Sequence, residues 1–419
     1  MRLVSAAFFS LLVASTLFSG KATAEASYSV LYTFGTNPDD GFLPNGGLVF
    51  DKAGNLYGTT QKGGSSPICT PGCGTVFELT PGQGGAWTES IIYSFCSEVN
   101  CTDGAYPLAG LVIDDLGNLY GTTKAGGNGV SCGGCGIVFE LSPPKAPGGA
   151  WTKTDLWDFG SSGAHDAANP AARLTWDGAG NLYGTTYFGG NGGLGTVFEL
   201  SPTQGGGWSE KVLYSFCLTG PPKCADGFEP MAAVAFDKSG NLYGTTFAGG
   251  AHLSQGTLYK LSPGNGTWTE TTLYSFTERG GGHPLAAVNF DNAGNFYTTA
   301  SQSIDNNGAV FKFIPQQGGG GKKLSFPFTD PQGPATPVAG VFIDPRFNNR
   351  LYGTPENGGP SRQGVVYGLV GKTLTTIHAF CCSDGAYPTG SLTFHAGNVY
   401  STTSAGGAFN QGVVFEIKP

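Results

Sequence analysis

Short runs in which apolar and polar residues alternate follow one another along this chain from Tyr28 to its last residues, and no 3.6-residue period is sustained after the first twenty or so positions. The runs Gly47-Leu48-Val49-Phe50, Asn55 to Thr60, Gly74 to Leu79 and Trp87 to Phe95 are rich in β-branched and aromatic residues. Gly, Pro, Asn and Asp separate them, so they read as four strands A to D joined by turns. The link Asp51-Lys52-Ala53-Gly54 reads as a tight A–B turn, with an Asp to bond its own backbone and a Gly to take positive φ. Alternation along strand D places Ile91, Tyr93 and Phe95 on one face.

This four-strand pattern repeats. GNLYGTT occurs at 54–60, 117–123, 180–186 and 240–246, with weaker copies at 294–300, 350–355 and 397–403. Each is followed by a copy of GTVFEL, at 74–79, 136–141, 195–200, 256–261, 308–313, 364–369 and 412–417. A third motif ends in an aromatic pair: VLYTF at 30–34, IIYSF at 91–95, DLWDF at 155–159, VLYSF at 212–216 and TLYSF at 272–276, with LSFPF at 324–328 and TIHAF at 376–380. Seven units of about 50–60 residues with four strands each is the arithmetic of a β-propeller.

The expected fold is therefore all-β: a seven-bladed propeller of four-stranded antiparallel blades in one domain, residues 25–419. The blades run approximately over 44–95, 107–159, 170–216, 230–276, 284–328, 337–380 and 388–419 plus 28–34. The chain starts with a strand D copy (Tyr28 to Phe34) and its last repeat stops at strand C (Gly412 to Ile417), so pairing the two closes the ring and removes two sheet edges.

Composition narrows the class. Glycine is 71 of 419 residues and charged residues are only 12%, which excludes a helical bundle or a charged disordered chain. The 6 Trp, 17 Tyr and 29 Phe supply a large core. Net charge is −8, which gives no basic patch for phosphates and argues against a nucleic-acid partner. Arg2, the apolar stretch Val4 to Phe18 and Ala22-Thr23-Ala24 read as a signal peptide over residues 1–24. A secreted (extracellular or periplasmic) monomer is expected, with no membrane insertion after cleavage.

The D-x-x-G-N-L-Y-G-T-T, G-T-V-F-E-L and L-Y-S-F units resemble those of the GloVer tandem-repeat proteins, an exported bacterial family of the choice-of-anchor type. The likeness spans the whole mature chain. It implies export and repeats, and transfers no catalytic residues.

In such a blade the B–C and D–A loops share one face, at the mouth of the axial channel. The D–A loops carry D-G-x-x-P, with Asp40, Asp103, Asp226 and Asp384, and Asp166 stands at the same offset from Pro170. Together these five suit a Ca²⁺ ion, or else each ties its own turn. No other cofactor is expected. Tyr106, Tyr387 and Arg279 on the same face are candidate ligand contacts. His165, His252 and His283, with Asp166 and Asp226, are candidate acid–base groups. The A–B turn aspartates and the tryptophans that open strand D read as turn and packing residues.

The ten cysteines of an exported chain favour disulfides. Local clips Cys69–Cys73, Cys96–Cys101, Cys132–Cys135 and Cys217–Cys224 are expected, all on the channel-mouth face, and the fate of adjacent Cys381 and Cys382 stays open. The function expected is a non-enzymatic binding or scaffolding module for a glycan, a peptide or a cell-surface protein. The alternative is a propeller lyase or hydrolase acting on a polysaccharide or cyclic ester at the channel mouth.

Overall fold

The computed structural model describes residues 26–129, 132–146, 148–163, 165–252, 254–303, 307–316, 321–347 and 350–418. The signal peptide read at residues 1–24 lies outside them. Each repeat forms an antiparallel four-stranded blade, and blade 1 consists of Val49–Phe50, Leu56–Thr60, Thr75–Pro81 and Trp87–Ser94, from innermost to outermost. Seven such blades make the propeller, with no α-helix among the described residues. In blade 7 the outer strand is Ser27–Thr33, which pairs antiparallel with Val413–Lys418 from Ser27↔Lys418 to Thr33↔Val413. The two ends of the chain thus close the ring.

The motifs owe their residue types to the joints between blades. The last aromatic of each outer strand is fully buried and meets, edge to face, the aromatic of G-T-V-F-E-L in the next blade. The seven ring pairs have centroids 5.0–5.3 Å apart: Phe34–Phe77, Phe95–Phe139, Phe159–Phe198, Phe216–Tyr259, Phe276–Phe311, Phe328–Tyr367 and Phe380–Phe415. Hydrophobic clusters accordingly form between blades, as where Phe34, Tyr400 and Val414 pack on Leu48, Leu56 and Phe77. The Gly of L-Y-G-T-T lies under the same ring: a Cβ on Gly58 would stand 2.5 Å from Phe77 Cζ.

The first Thr of that motif laces neighbouring inner strands. Thr59 Oγ1 donates to the Ala109 carbonyl (2.8 Å), and Thr402 makes the equivalent bond to Gly46 (3.2 Å) across the closure. A second lace forms just before each inner strand. The residue preceding the D–A loop proline donates its N–H to the blade before it, from Leu43 to Gln411 (3.3 Å) and from Tyr106 to Cys73 (2.8 Å), and so on around the ring. The proline then packs on the Gly of G-T-V-F-E-L; a Cβ on Gly364 would lie 2.3 Å from Pro388 Cδ.

The outer strand differs from the expected alternation. A β-bulge falls opposite the Val76/Phe77 step and leaves Ile92 unpaired. Ile91 consequently packs towards blade 7, whereas Ile92, Tyr93 and Phe95 pack towards blade 2. Blade 5, whose outer strand carries the divergent L-S-F-P-F, pairs in regular register instead.

Candidate functional site

On the turn face the aspartates bind their own turns. Asp51 Oδ1 accepts from the N–H groups of Ala53 (2.9 Å) and Asn55 (2.8 Å), and its Oδ2 accepts from Asn55 Nδ2 (2.9 Å) and the Tyr57 hydroxyl (3.1 Å). The network recurs at Asp114, Asp177 and Asp291. A depression of about 960 Å³ lies on this face against Tyr120, Trp176, Trp208, Asp115 and Leu116. The strand-opening tryptophans Trp87, Trp151, Trp208 and Trp268 pack against inter-blade clusters.

On the loop face the five D–A aspartates each hold their own loop. Asp40 is buried; its Oδ2 accepts from the Tyr32 hydroxyl (2.8 Å) and the Gly35 N–H (2.7 Å). Asp103 accepts from the Tyr93 hydroxyl (2.9 Å) and from the Ser97 N–H (2.9 Å) and hydroxyl (2.8 Å). Asp166 takes Ser162 and the Ala167 N–H, and Asp226 takes the Tyr214 hydroxyl (3.0 Å) and the Cys217 N–H (2.9 Å). Asp384 accepts from Cys381 N–H (2.7 Å) and pairs with His378 Nε2 (3.0 Å), so histidine here stands where the joints of Asp40, Asp103 and Asp226 have tyrosine. Among the described residues, the ligand atoms of these five carboxylates do not converge; the one converging group of three or more is Cys69, Cys73, Cys96 and Cys101.

That group is disulfide-bonded. Bridges join Cys69 to Cys73, Cys96 to Cys101, Cys132 to Cys135 and Cys217 to Cys224, the four local clips expected from sequence. Cys381 and Cys382 are free and exposed, their sulfurs 2.7 Å apart.

The candidate acid–base groups do not assemble. His165 and His252 are exposed, whereas His283 is half-buried, its Nδ1 3.1 Å from the Phe247 carbonyl. Arg279 is exposed, and a small cleft of about 240 Å³ holds His283 with Gln255, Glu278 and Gln302.

His283 belongs to a different pattern. It is one of seven residues, each preceding the loop proline, that hold a left-handed backbone: Leu43, Tyr106, Asn169, Glu229, His283, Thr336 and Tyr387, with φ between 54° and 59°. This conformation is unfavourable for a non-glycine residue, and the inter-blade N–H bond fixes it. All seven side chains are at least partly exposed. The loop-face candidates Tyr106 and Tyr387 are two of them; the column was open to sequence reasoning as the variable position of D-G-x-x-P.

Sequence reasoning missed two further features. Glu89, Glu210 and Glu270, two residues into W-x-E, stand beside Asp40, Asp166 and Asp226 respectively. Burial first, and the neighbouring aspartate second, push their carboxyls up to about 7, 8 and 7. Arg173, the other missed residue, lines the axial channel, a cavity of about 620 Å³ walled by the inner strands.

A seven-bladed propeller with four loop clips and no helix long or apolar enough to cross a membrane, among the described residues, is the class these features define. The profile of the Gloeobacter/Verrucomicrobia repeat matches residues 14–224, 69–286 and 211–415, and the chain belongs to this family. No curated protein matches it in sequence. Among solved structures it is similar to a Bacteroides uniformis protein named as a candidate 6-phosphogluconolactonase, with 13% identity over 78% of this chain and 84% of that one and a TM-score of 0.48. A Bacteroides fragilis protein of the same name gives 14% identity, 91% and 89% coverage and a TM-score of 0.47. Likenesses this distant bear on no activity.

Proposed function

We propose that this protein is an exported, monomeric binding module that holds a glycan on its loop face and catalyses no reaction on it. One observation supports this reading above others: seven positions of equal backbone geometry, one per blade, carry a different residue in nearly every copy. A structural ring would repeat its side chains as it repeats Phe and Gly; a recognition ring varies them. Tyr106 and Tyr387 offer flat amphipathic faces for sugar rings, and Asn169, Glu229, His283 and Thr336 offer donors and acceptors for hydroxyls. Disulfides in the adjoining loops limit the entropy lost on binding. Export is supported by the N-terminal targeting pattern together with those bridges.

A glycan array, followed by titration of the best hit, tests it. The double variant Tyr106→Ala, Tyr387→Ala should weaken binding by at least about tenfold, roughly 1.4 kcal/mol, with unchanged far-UV circular dichroism. A blank array, or equal binding by the variant, overturns the glycan reading and leaves a peptide or surface protein as the partner. Cleavage of a bound polysaccharide or of a cyclic ester overturns the non-enzymatic part.

A further inference from the structure

The inner strands align residue for residue around the channel. Leu48, Leu111, Leu174, Val234, Val288, Val341 and Leu392 are buried between blades in every copy. The residue before each points the other way, and reads Gly47, Gly110, Arg173, Ala233, Ala287, Gly340 and Ser391. Five of these, from Arg173 to Ser391, line the channel cavity. The small residues have a reason: on the opposite wall a Cβ on Gly110 would stand 2.4 Å from the Gly47 carbonyl oxygen. Six positions are thus small, and the seventh carries the longest cationic side chain.

Packing does not account for that arginine. Among the described residues only its Nε has a protein partner, donating to the Leu111 carbonyl (3.0 Å). Among the described residues the two terminal nitrogens have none, and no carboxylate forms an ion pair with it. Arg173 is exposed to the solvent of the channel, whose walls crowd it enough to lower its pKa. It stays charged regardless. No carboxylate stands among the residues that line the channel, so the charge of Arg173 is answered there only by water or by an anion that enters. Ser391, in the same ring, and Asn289, one ring deeper, also line the cavity, and neither side chain has a hydrogen bond among the described residues. They add donors around the same space.

We infer that the axial channel is a binding site for a small oxyanion, a carboxylate or a phosphate, held by the free fork of Arg173 with Ser391 and Asn289 completing its hydrogen bonds. A planar two-nitrogen fork matches two oxygens of such a group, which is the strongest form of this contact. The site is independent of the glycan proposed on the loop face, and an acidic ligand would present its charged group here.

The experiment titrates the full chain with inorganic phosphate and, separately, with acetate, at constant ionic strength, following melting temperature and heat of binding. Phosphate and acetate distinguish the two sources of the oxyanion. At least one should give a saturable stabilisation. Arg173→Ala, which copies Ala233 and Ala287 and therefore fits the ring, should abolish saturation; Arg173→Lys, which keeps charge but loses the fork, should weaken it by about tenfold. A linear rise common to wild type and Arg173→Ala is solvent exclusion from the surface and overturns the proposal. So does the absence of a response to either anion. If Arg173→Ala melts differently without ligand, Arg173→Lys and the heat of binding carry the decision.

Discussion

The joint between blades 3 and 4 and the joint between blades 5 and 6 share their inner lacing and differ at the rim. Both bury an edge-to-face ring pair, Phe216–Tyr259 in one and Phe328–Tyr367 in the other. At the rim, the first sets Glu270 beside Tyr214 and Asp226, and the second packs Leu374 with Phe326. The rim position is the same one in each blade, opposite the last residue of G-T-V-F-E-L: Leu261↔Glu270 and Leu369↔Leu374. Elsewhere it is Glu89, Lys153, Glu210, Lys323 or Tyr28. The comparison teaches where the fold resides. Ring, threonine, glycine and proline contacts near the axis tolerate little change, while the rim accepts acid, base, aliphatic or aromatic side chains on one backbone.

The largest expected effect tests that division. Phe198→Ala removes an inner ring that is fully buried against Phe159, and should cost about 3–5 kcal/mol in urea unfolding. Phe326→Ala removes a half-buried rim ring and should cost about 1–2 kcal/mol, the scale of partial burial. Equal losses would break the distinction between lacing and rim.

The second prediction separates the rims by pH. In the folded protein Glu89, Glu210 and Glu270 titrate near 7, 8 and 7, against an ordinary 4.5. Between about pH 5 and pH 8 the folded state therefore holds protons that the unfolded chain has released, and stability falls as pH rises through that window. Burial moves Glu356 in the same direction, and lowers the pKa of His378, which loses stability towards acid instead. The triple variant Glu89→Gln, Glu210→Gln, Glu270→Gln removes the first contribution only. Its urea midpoint should change less than wild type between pH 5.5 and pH 8.5; a parallel pair of pH profiles would show these carboxyls to be ordinary.

Why the lacing was legible and the rim was not follows from what repeats. Seven near-identical copies of G-T-V-F-E-L and L-Y-S-F announce contacts that recur, and the blade count, the ring closure and the four short cysteine loops followed from spacing alone. Which copy touches which was not visible: nothing in the sequence says that Phe34 meets Phe77, or that Gly364 seats Pro388. The site was legible only in part. Asp40, Asp103, Asp226 and Asp384 each accept from the tyrosine or histidine of their joint and Asp166 from its own loop, so repetition marked a structural role. The informative residues are those that break a column, Arg173 among glycines and alanines and the seven pre-proline residues among identical backbones. The bulge at Ile92 was hidden because a one-residue insertion leaves composition unchanged while reversing the face of every residue before it.

The smallest effect sharpens the cause of the shifted glutamates. At the joint between blades 4 and 5 the rim residue is Lys323, which donates to the Tyr274 hydroxyl (2.6 Å) and lies over its ring. The loop aspartate is missing there, replaced by Gly280. Lys323 is exposed, so Lys323→Glu would place a carboxyl at the rim with neither the burial nor the aspartate that act on Glu270. The lost cation–ring contact should cost no more than about 1 kcal/mol, and the new carboxyl should leave the pH profile above pH 6 unchanged. In the opposite direction, Asp226→Asn should lower the Glu270 midpoint while leaving it above the ordinary value, because burial is the larger of the two causes that raise it. Nuclear magnetic resonance titration of the Glu side-chain carboxyls reads both midpoints. If Lys323→Glu titrates near 7, the rim backbone itself, and not burial beside an aspartate, sets the shift.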